Sequence, residues 1–170
     1  MQGPDGGWIL LQQRSGAKFN FYRDWNSYKN GFGKPKLGYW LGNRHMHTLT
    51  FKRKYLLRFE FPDRFDERNQ TLFLEYDNFK VLSPLTDYVI QIGKCRGNTV
   101  DLFPNINNSA FSTWNRDNDG VQYLTCAWLN RGAWWYRGDC SVPDLNSMVQ
   151  FTGIRIVMKA RELLRGKVLE

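Results

Sequence analysis

Long apolar runs, histidine clusters and paired cysteine motifs are all missing from this 170-residue chain, and each absence excludes a class of protein. No stretch approaches the roughly 18 consecutive apolar residues that a membrane span requires. No basic start followed by an apolar centre marks a leader peptide. The residues Met1–Pro4 read instead as an expression start on an excised domain, and Lys167–Glu170 as partly vector-derived. The three cysteines, Cys95, Cys126 and Cys140, form no C-x-x-C pair, and His45 and His47 are far from all of them in sequence, which argues against zinc. The G-x-S-x-G, H-E-x-x-H, phosphate-loop and dinucleotide-loop patterns are absent, and nothing marks a working acid–base pair. Catalysis therefore has no support. Repeats, low-complexity segments and linkers are lacking too, so residues 1–170 read as one domain, long enough to bury a core.

What is present is aromatic and turn-rich. Seven Trp, eight Tyr and twelve Phe supply large apolar areas, and fifteen Gly with many Asn and Asp imply abundant turns. Gly6 to Gln12 reads as a buried strand turned at Ser15-Gly16. Asp24 caps a short helix from Trp25 to Asn30 that stops at Gly31, with Trp25 and Tyr28 on one face. Asn43 is the expected cap of a second helix through His47. Tyr55 to Phe61 alternates as a half-buried strand. Leu72 to Tyr76 is another strand, followed by a turn with Phe79 and Val81, and Tyr88 to Ile92 a further strand ending at Gly93. Regular patterns fade from Lys94 to Ser147, and alternation returns from Phe151 to Met158, before residues that fit a fraying helix. The fold class expected is α+β: a twisted antiparallel sheet with short flanking helices and a loop-rich C-terminal lobe.

The densest chemistry lies between Ala110 and Asn146, which holds alternating aspartates, two cysteines and a Trp-Trp-Tyr cluster. Asp117 and Asp119 alternate, so one loop can aim both carboxylates inward at a calcium ion, which takes six to eight hard oxygens. A solvated Asn/Asp turn is the alternative. One disulfide with one spare thiol is the simplest account of three cysteines, and it implies an oxidising compartment. The net charge of +8 suggests a polyanion such as a heparin-like glycan, or simply solvated basic faces. Lys52-Arg53-Lys54 and Arg155, Lys159, Arg161, Arg165 and Lys167 are dispersed, and no nucleic-acid motif accompanies them. Asn69 and Asn107 each begin an N-glycosylation triplet.

Several blocks, taken in order, resemble the fibrinogen C-terminal (fibrinogen-related) domain. They are Gly6-Gly7-Trp8; Phe21-Tyr22-Arg23-Asp24-Trp25 with Tyr28 and Gly31-Phe32-Gly33; Tyr39-Trp40-Leu41-Gly42-Asn43 with His47, Leu49 and Thr50; and Tyr76-Asp77-Asn78-Phe79-Lys80-Val81. Further on come Phe111-Ser112-Thr113-Trp114, Asp117-Asn118-Asp119, Cys126-Ala127, Trp134-Trp135-Tyr136, Cys140 and Leu145-Asn146. The match spans residues 6–158, leaving 159–170 as a tail. It implies a secreted recognition domain that binds a cell-surface or matrix protein receptor or an anionic glycan, in matrix, adhesion or innate-immune settings. It also implies a Cys126–Cys140 disulfide, and calcium held by Asp117 and Asp119 with carbonyls near Val121 and Tyr123. The count from Asp119 to Cys126 is one longer than in common members.

The resemblance also implies, in lectin-like members, a small funnel for acetylated ligands beside the disulfide. Trp134, Trp135, Tyr136 and Ser141 are the candidate wall, with core packing as the other reading of the two Trp residues. The departures bear on this. The N-terminal subdomain is missing ahead of Gly6, Ser141 replaces the usual His, Ser147 stands for Gly, and only Met148-Val149-Gln150 connects to Phe151 where the family has a long ligand-binding segment. A trimmed or engineered scaffold is thus a further reading beside the receptor-binding and lectin ones. Arg137-Gly138-Asp139, just before Cys140, matches the integrin-binding triplet. Cys95 has no family partner and is expected to be a buried spare thiol.

Overall fold

The computed structural model describes residues 7–16, 18–62, 71–147 and 153–160. Asn69, the Met148–Gln150 connection and the tail after Ala160 lie outside the described residues. The chain forms one antiparallel sheet, flanked by short helices and continued by a loop-rich lobe.

The first strand is β1 (Ile9–Arg14), three residues later than the apolar run from Gly6 suggests. Helix α1 (Trp25–Asn30) is as expected. The Asp24 carboxylate accepts from the Ser27 N–H at 2.8 Å, and Gly31 ends the helix at φ +90°. Helix α2 (Asn43–Phe51) starts at Asn43 but is not capped by it. The Asn43 amide oxygen turns inward to accept from the buried Trp40 indole N–H at 3.2 Å, and the helix runs a full turn past His47. Between the two helices lies a hairpin of β2 (Phe32–Lys34) and β3 (Gly38–Trp40), which the sequence pattern did not suggest.

Strand β4 (Tyr55–Pro62) follows its alternation, with Tyr55, Leu57 and Phe59 buried. Strand β5 (Thr71–Val81) is continuous through the expected turn, because a shift of register and Asn78 at φ +53° absorb the extra residue. The Tyr88–Ile92 run shrinks to β6 (Ile90–Gln91), since Asp87 and Tyr88 both take positive φ in a turn. The pattern-poor segment holds β7 (Cys95–Gly97) and a one-turn helix α3 (Cys126–Leu129). Strand β8 (Ile154–Ala160) buries Ile154, Ile156, Val157 and Met158.

The strand order is β2-β3-β1-β8-β4-β5-β6, with β7 pairing the other end of β5. The last described strand is therefore central, paired with β1 on one side and β4 on the other. The two faces differ sharply. Inward lie Leu11, Leu57, Phe59, Leu74, Ile156 and Met158. Outward, Arg58 meets Glu60 and Glu75 at 3.1 Å, Arg96 meets Glu75 at 2.7 Å, and Arg155 meets Glu60 at 2.5 Å. Such partly exposed pairs, cross-strand except for Arg58–Glu60 within β4, contribute about 0.2–1 kcal/mol each, and they neutralise the sheet's basic residues locally.

Candidate functional site

The lobe from Ser109 to Ser147 has almost no ladder, so its backbone polar groups need other partners. Asp119 supplies two of them. It is 3% exposed, and its carboxylate accepts from the Val121 N–H at 2.8 Å and the Cys126 N–H at 2.7 Å. The second bond anchors the start of α3. Asp117, on the exposed side, accepts from the Asp119 N–H at 3.2 Å and the Thr125 hydroxyl at 3.0 Å. Asn118 donates its side-chain amide to the Phe111 carbonyl at 2.8 Å. The loop is thus folded around its acids, whose remaining lone pairs are available to a cation. Burial raises the Asp119 pKa and the neighbouring Asp117 charge raises it further, against the lowering effect of the Cys126 and Val121 N–H groups. Two carboxylates two positions apart are the hard-oxygen donors that calcium takes, although both Asp119 oxygens already accept N–H groups. Tyr123 is fully exposed at φ +63°. Among the described residues, no three His, Cys, Asp or Glu side chains cluster as a metal site, so calcium would rely on carbonyls and water for most of its shell.

Cys126 and Cys140 are joined by a disulfide across 14 positions, and Cys95 is a half-buried free thiol whose pKa is raised by burial. Inside the covalent ring, Trp134, Trp135 and Tyr136 are buried at 0%, 4% and 1% exposure, so they offer no wall to a ligand. They belong to the core. Trp134 packs near Phe103, which stacks on Phe59 of β4 at 4.5 Å, and the Trp135 indole donates to the Tyr88 carbonyl at 2.9 Å. Ser141 is exposed and turns back to Asp139, donating its N–H at 2.8 Å and its hydroxyl at 2.7 Å. The acetyl-binding funnel therefore has no wall at the expected residues. What reaches the surface of this lobe is different: Trp114, Tyr123, Trp128 and Leu129.

Arg137, Gly138 and Asp139 are all exposed. Arg137 donates to the Asn107 carbonyl at 2.8 Å, Gly138 sits at φ +63° with its N–H on the Asp119 carbonyl at 2.7 Å, and the two Ser141 bonds hold the Asp139 pKa below the usual carboxylate range. The triplet is thus tied to the aspartate loop. Asn107 accepts from the Ile92 N–H at 3.0 Å through its amide oxygen, and Ser109 of the same glycosylation triplet is buried.

One buried polar group has no counterpart in the sequence patterns. Asp144 is 3% exposed beneath the lobe, where Tyr136 donates its hydroxyl to the carboxyl and the Asn146 N–H donates at 2.8 Å. Burial raises the Asp144 pKa to about 7, despite those bonds and the charge of Arg14. Gln12 reaches the same region, donating to Asn146 at 3.3 Å. The only hint of this group in the sequence is a Pro-Asp-Leu-Asn turn, because nothing in that turn shows that Asp144 is buried against Tyr136 or near Arg14.

A family model for the fibrinogen beta and gamma chains, C-terminal globular domain, matches residues 1–158, and the chain belongs to that family. It is similar to Ryncolin-4 of Cerberus rynchops, 38% identical over 149 residues, covering 87% of this chain and 42% of the relative. It is also similar to Angiopoietin-related protein 7 of Homo sapiens, 36% identical over 149 residues, covering 87% of this chain and 41% of that protein. The chain thus spans less than half the length of these two curated relatives. Among solved structures, the fibrinogen-like globe domain of human ANGPTL6 superposes with a TM-score of 0.79 at 25% identity, over 95% of this chain and 82% of that one. Among the described residues no helix is long and apolar enough to cross a membrane.

Proposed function

We propose that the chain is a non-enzymatic, secreted recognition module that binds a protein receptor or an anionic glycan in a matrix or innate-immune setting. The observation that carries this reading is the division of labour in the 109–147 lobe. Its buried acids and Trp residues serve its own backbone and core, while Trp114, Tyr123 and Trp128 stand exposed, the last of them inside the Cys126–Cys140 ring. Exposed aromatic side chains on a rigid loop suit contact with a partner and no chemistry. Membership of the fibrinogen family supports it. The measurement that tests it is a receptor and glycan binding screen, run with and without calcium. Binding of a matrix or cell-surface ligand is expected, and silence across both panels would remove the reading.

Calcium is part of the same proposal. Asp117 and Asp119, with carbonyls near Val121 and Tyr123, would hold the ion and steady the loop that carries the aromatic surface. Millimolar calcium should raise the melting temperature and EDTA should lower it. An unchanged melting curve in both would remove the metal.

A further inference from the structure

The chain's positive charge is unevenly distributed. Between residues 14 and 36 stand six cations, Arg14, Lys18, Arg23, Lys29, Lys34 and Lys36, against the single acid Asp24, a surplus of five out of a net +8. None of these six forms an ion pair among the described residues, in contrast to Arg58, Arg96 and Arg155 on the sheet face.

Two adjoining hollows open at the β1–α1 connection, the outer against the β2–β3 hairpin and the inner against Asn146 and Ser147. The outer one, about 600 Å³, is lined by Lys18, Phe19, Lys36 and Leu37. The inner one, about 150 Å³, is lined by Arg14, Lys18, Phe19, Asn20, Asn146 and Ser147 among others. Lys18 and Phe19 line both. Among the described residues no carboxylate lines either one. Arg14 is 4% exposed and its Nε has no hydrogen-bond partner among the described residues, so the inner chamber holds a buried cation with an unused donor. The Asp144 charge opposes it from beneath the lobe and Arg14 Nη1 donates to the Leu145 carbonyl at 3.5 Å, which leaves Nε as the donor free for an anion.

The shared wall is built into the fold. A Cβ at Gly38 would lie 2.2 Å from the Phe19 ring, and one at Gly33 would lie 2.8 Å from it. Gly38 leaves room for the ring, while Gly33 is required first by its φ of +85° and by the Gly38 carbonyl, 2.0 Å from where its Cβ would stand. The Arg23 guanidinium covers the assembly, 5.7 Å from the Phe19 centroid and 4.8 Å from that of Phe32. The ring is therefore fixed before any ligand arrives, which lowers the ordering cost of binding.

We infer that this cleft docks a linear sulfated polysaccharide, one sulfate entering the inner chamber at Arg14 and Lys18, a sugar ring lying along Phe19, and a second anionic group meeting Lys36. The inference rests on the glycan half of the function proposed above and gives it a place. A sugar chain suits the site because anionic and apolar contacts alternate along it: chamber, aromatic wall, outer lysine. An acidic peptide would match the charge alone.

Calorimetric titration with a heparin octasaccharide at low salt tests this. The Lys18→Glu/Lys36→Glu double variant changes two exposed residues, so its melting temperature should stay put while affinity falls at least about tenfold, equivalent to about 1.4 kcal/mol. The Lys52→Glu/Lys54→Glu variant, on the exposed basic run after α2, should stay within about twofold. Affinity should also fall steeply with added salt. Loss of binding in the 52/54 variant with retention in the 18/36 variant would refute the cleft and leave the glycan reading standing. Equal affinity for polyglutamate of matched charge would refute the sugar as occupant. No heat with the octasaccharide at low salt would refute both the cleft and the glycan half of the reading, while a receptor hit in the screen would still stand.

Discussion

The sheet and the 109–147 lobe solve one problem in two ways. In the sheet, strands satisfy one another's N–H and carbonyl groups, and side chains are left to pack or to pair at the surface. In the lobe there is little ladder, and carboxylates do that work: Asp119 on Val121 and Cys126, Asp144 on Asn146, Asp117 on Asp119. The difference teaches where each region is vulnerable. A sheet held by backbone bonds and apolar burial has no disulfide among its described residues, and its carboxylates pair at the outer face rather than in the core. A lobe held by buried acids and a disulfide responds to protons and to reductants.

The largest test of that contrast is Trp134→Ala. Trp134 is fully buried and reaches the sheet through Phe103 and Phe59, so about 3–5 kcal/mol should be lost in chemical denaturation. A cost under about 1 kcal/mol would mean that the lobe is not packed on the sheet as described. Next comes Cys126→Ser with Cys140→Ser, expected to cost about 3 kcal/mol for a loop of this length. Hydrogen exchange should show protection lost first between 111 and 147, with β4, β5 and β8 retaining theirs. Uniform loss would erase the distinction between the regions.

Protonation gives a smaller and more diagnostic effect. Burial pushes the folded-state pKa of Asp144 up to about 7, against about 3.9 for an unfolded carboxyl, so the folded state binds more protons between those values. Stability should therefore be highest at the acidic end of that window and fall as pH rises, by at most about 1.4 kcal/mol per unit. In Asp144→Asn that slope should flatten, leaving only the weaker contribution of Asp119, whose pKa is raised in the same sense. An unaltered slope would show that Asp144 is not the group titrating. Smallest of all, Arg155→Ala on the sheet's outer face should cost under about 1 kcal/mol, with no dependence on reduction.

The same contrast explains what could be read in advance. Strand β4 was legible because Tyr55, Leu57 and Phe59 alternate, and α1 because Asp24 caps it and Gly31 stops it. The β2–β3 hairpin was not, since its short strands contain Gly33 and Gly38, residues that ordinarily signal a loop and here make room for Phe19. Strand β5 looked broken because Asn78 resembles a turn residue, when it marks an irregularity within a continuous strand. In the lobe, Asp117, Asp119, Cys126 and Cys140 were recognisable as a group. The partners of Asp119 were not, because a backbone N–H leaves no letter in the sequence. Asp144 was hidden for a related reason: its burial depends on Tyr136 and on strand β1, far away along the chain. The cationic segment was countable from the start. Charge summed over the whole chain obscured it, since only the fold separates the neutralised arginines of the sheet from the unpaired ones near Lys18.

The position of β8 has a temporal consequence. Made after every other described element, it must enter between β1 and β4, two strands synthesised long before it. Until it emerges, the strands that will flank it each have an open edge with no neighbour to close it. The disulfide pair, only 14 positions apart, can meet earlier. During synthesis the covalent clip can therefore be in place before the sheet it serves is complete, because the pairings of β8 with β1 and β4 span far more of the chain.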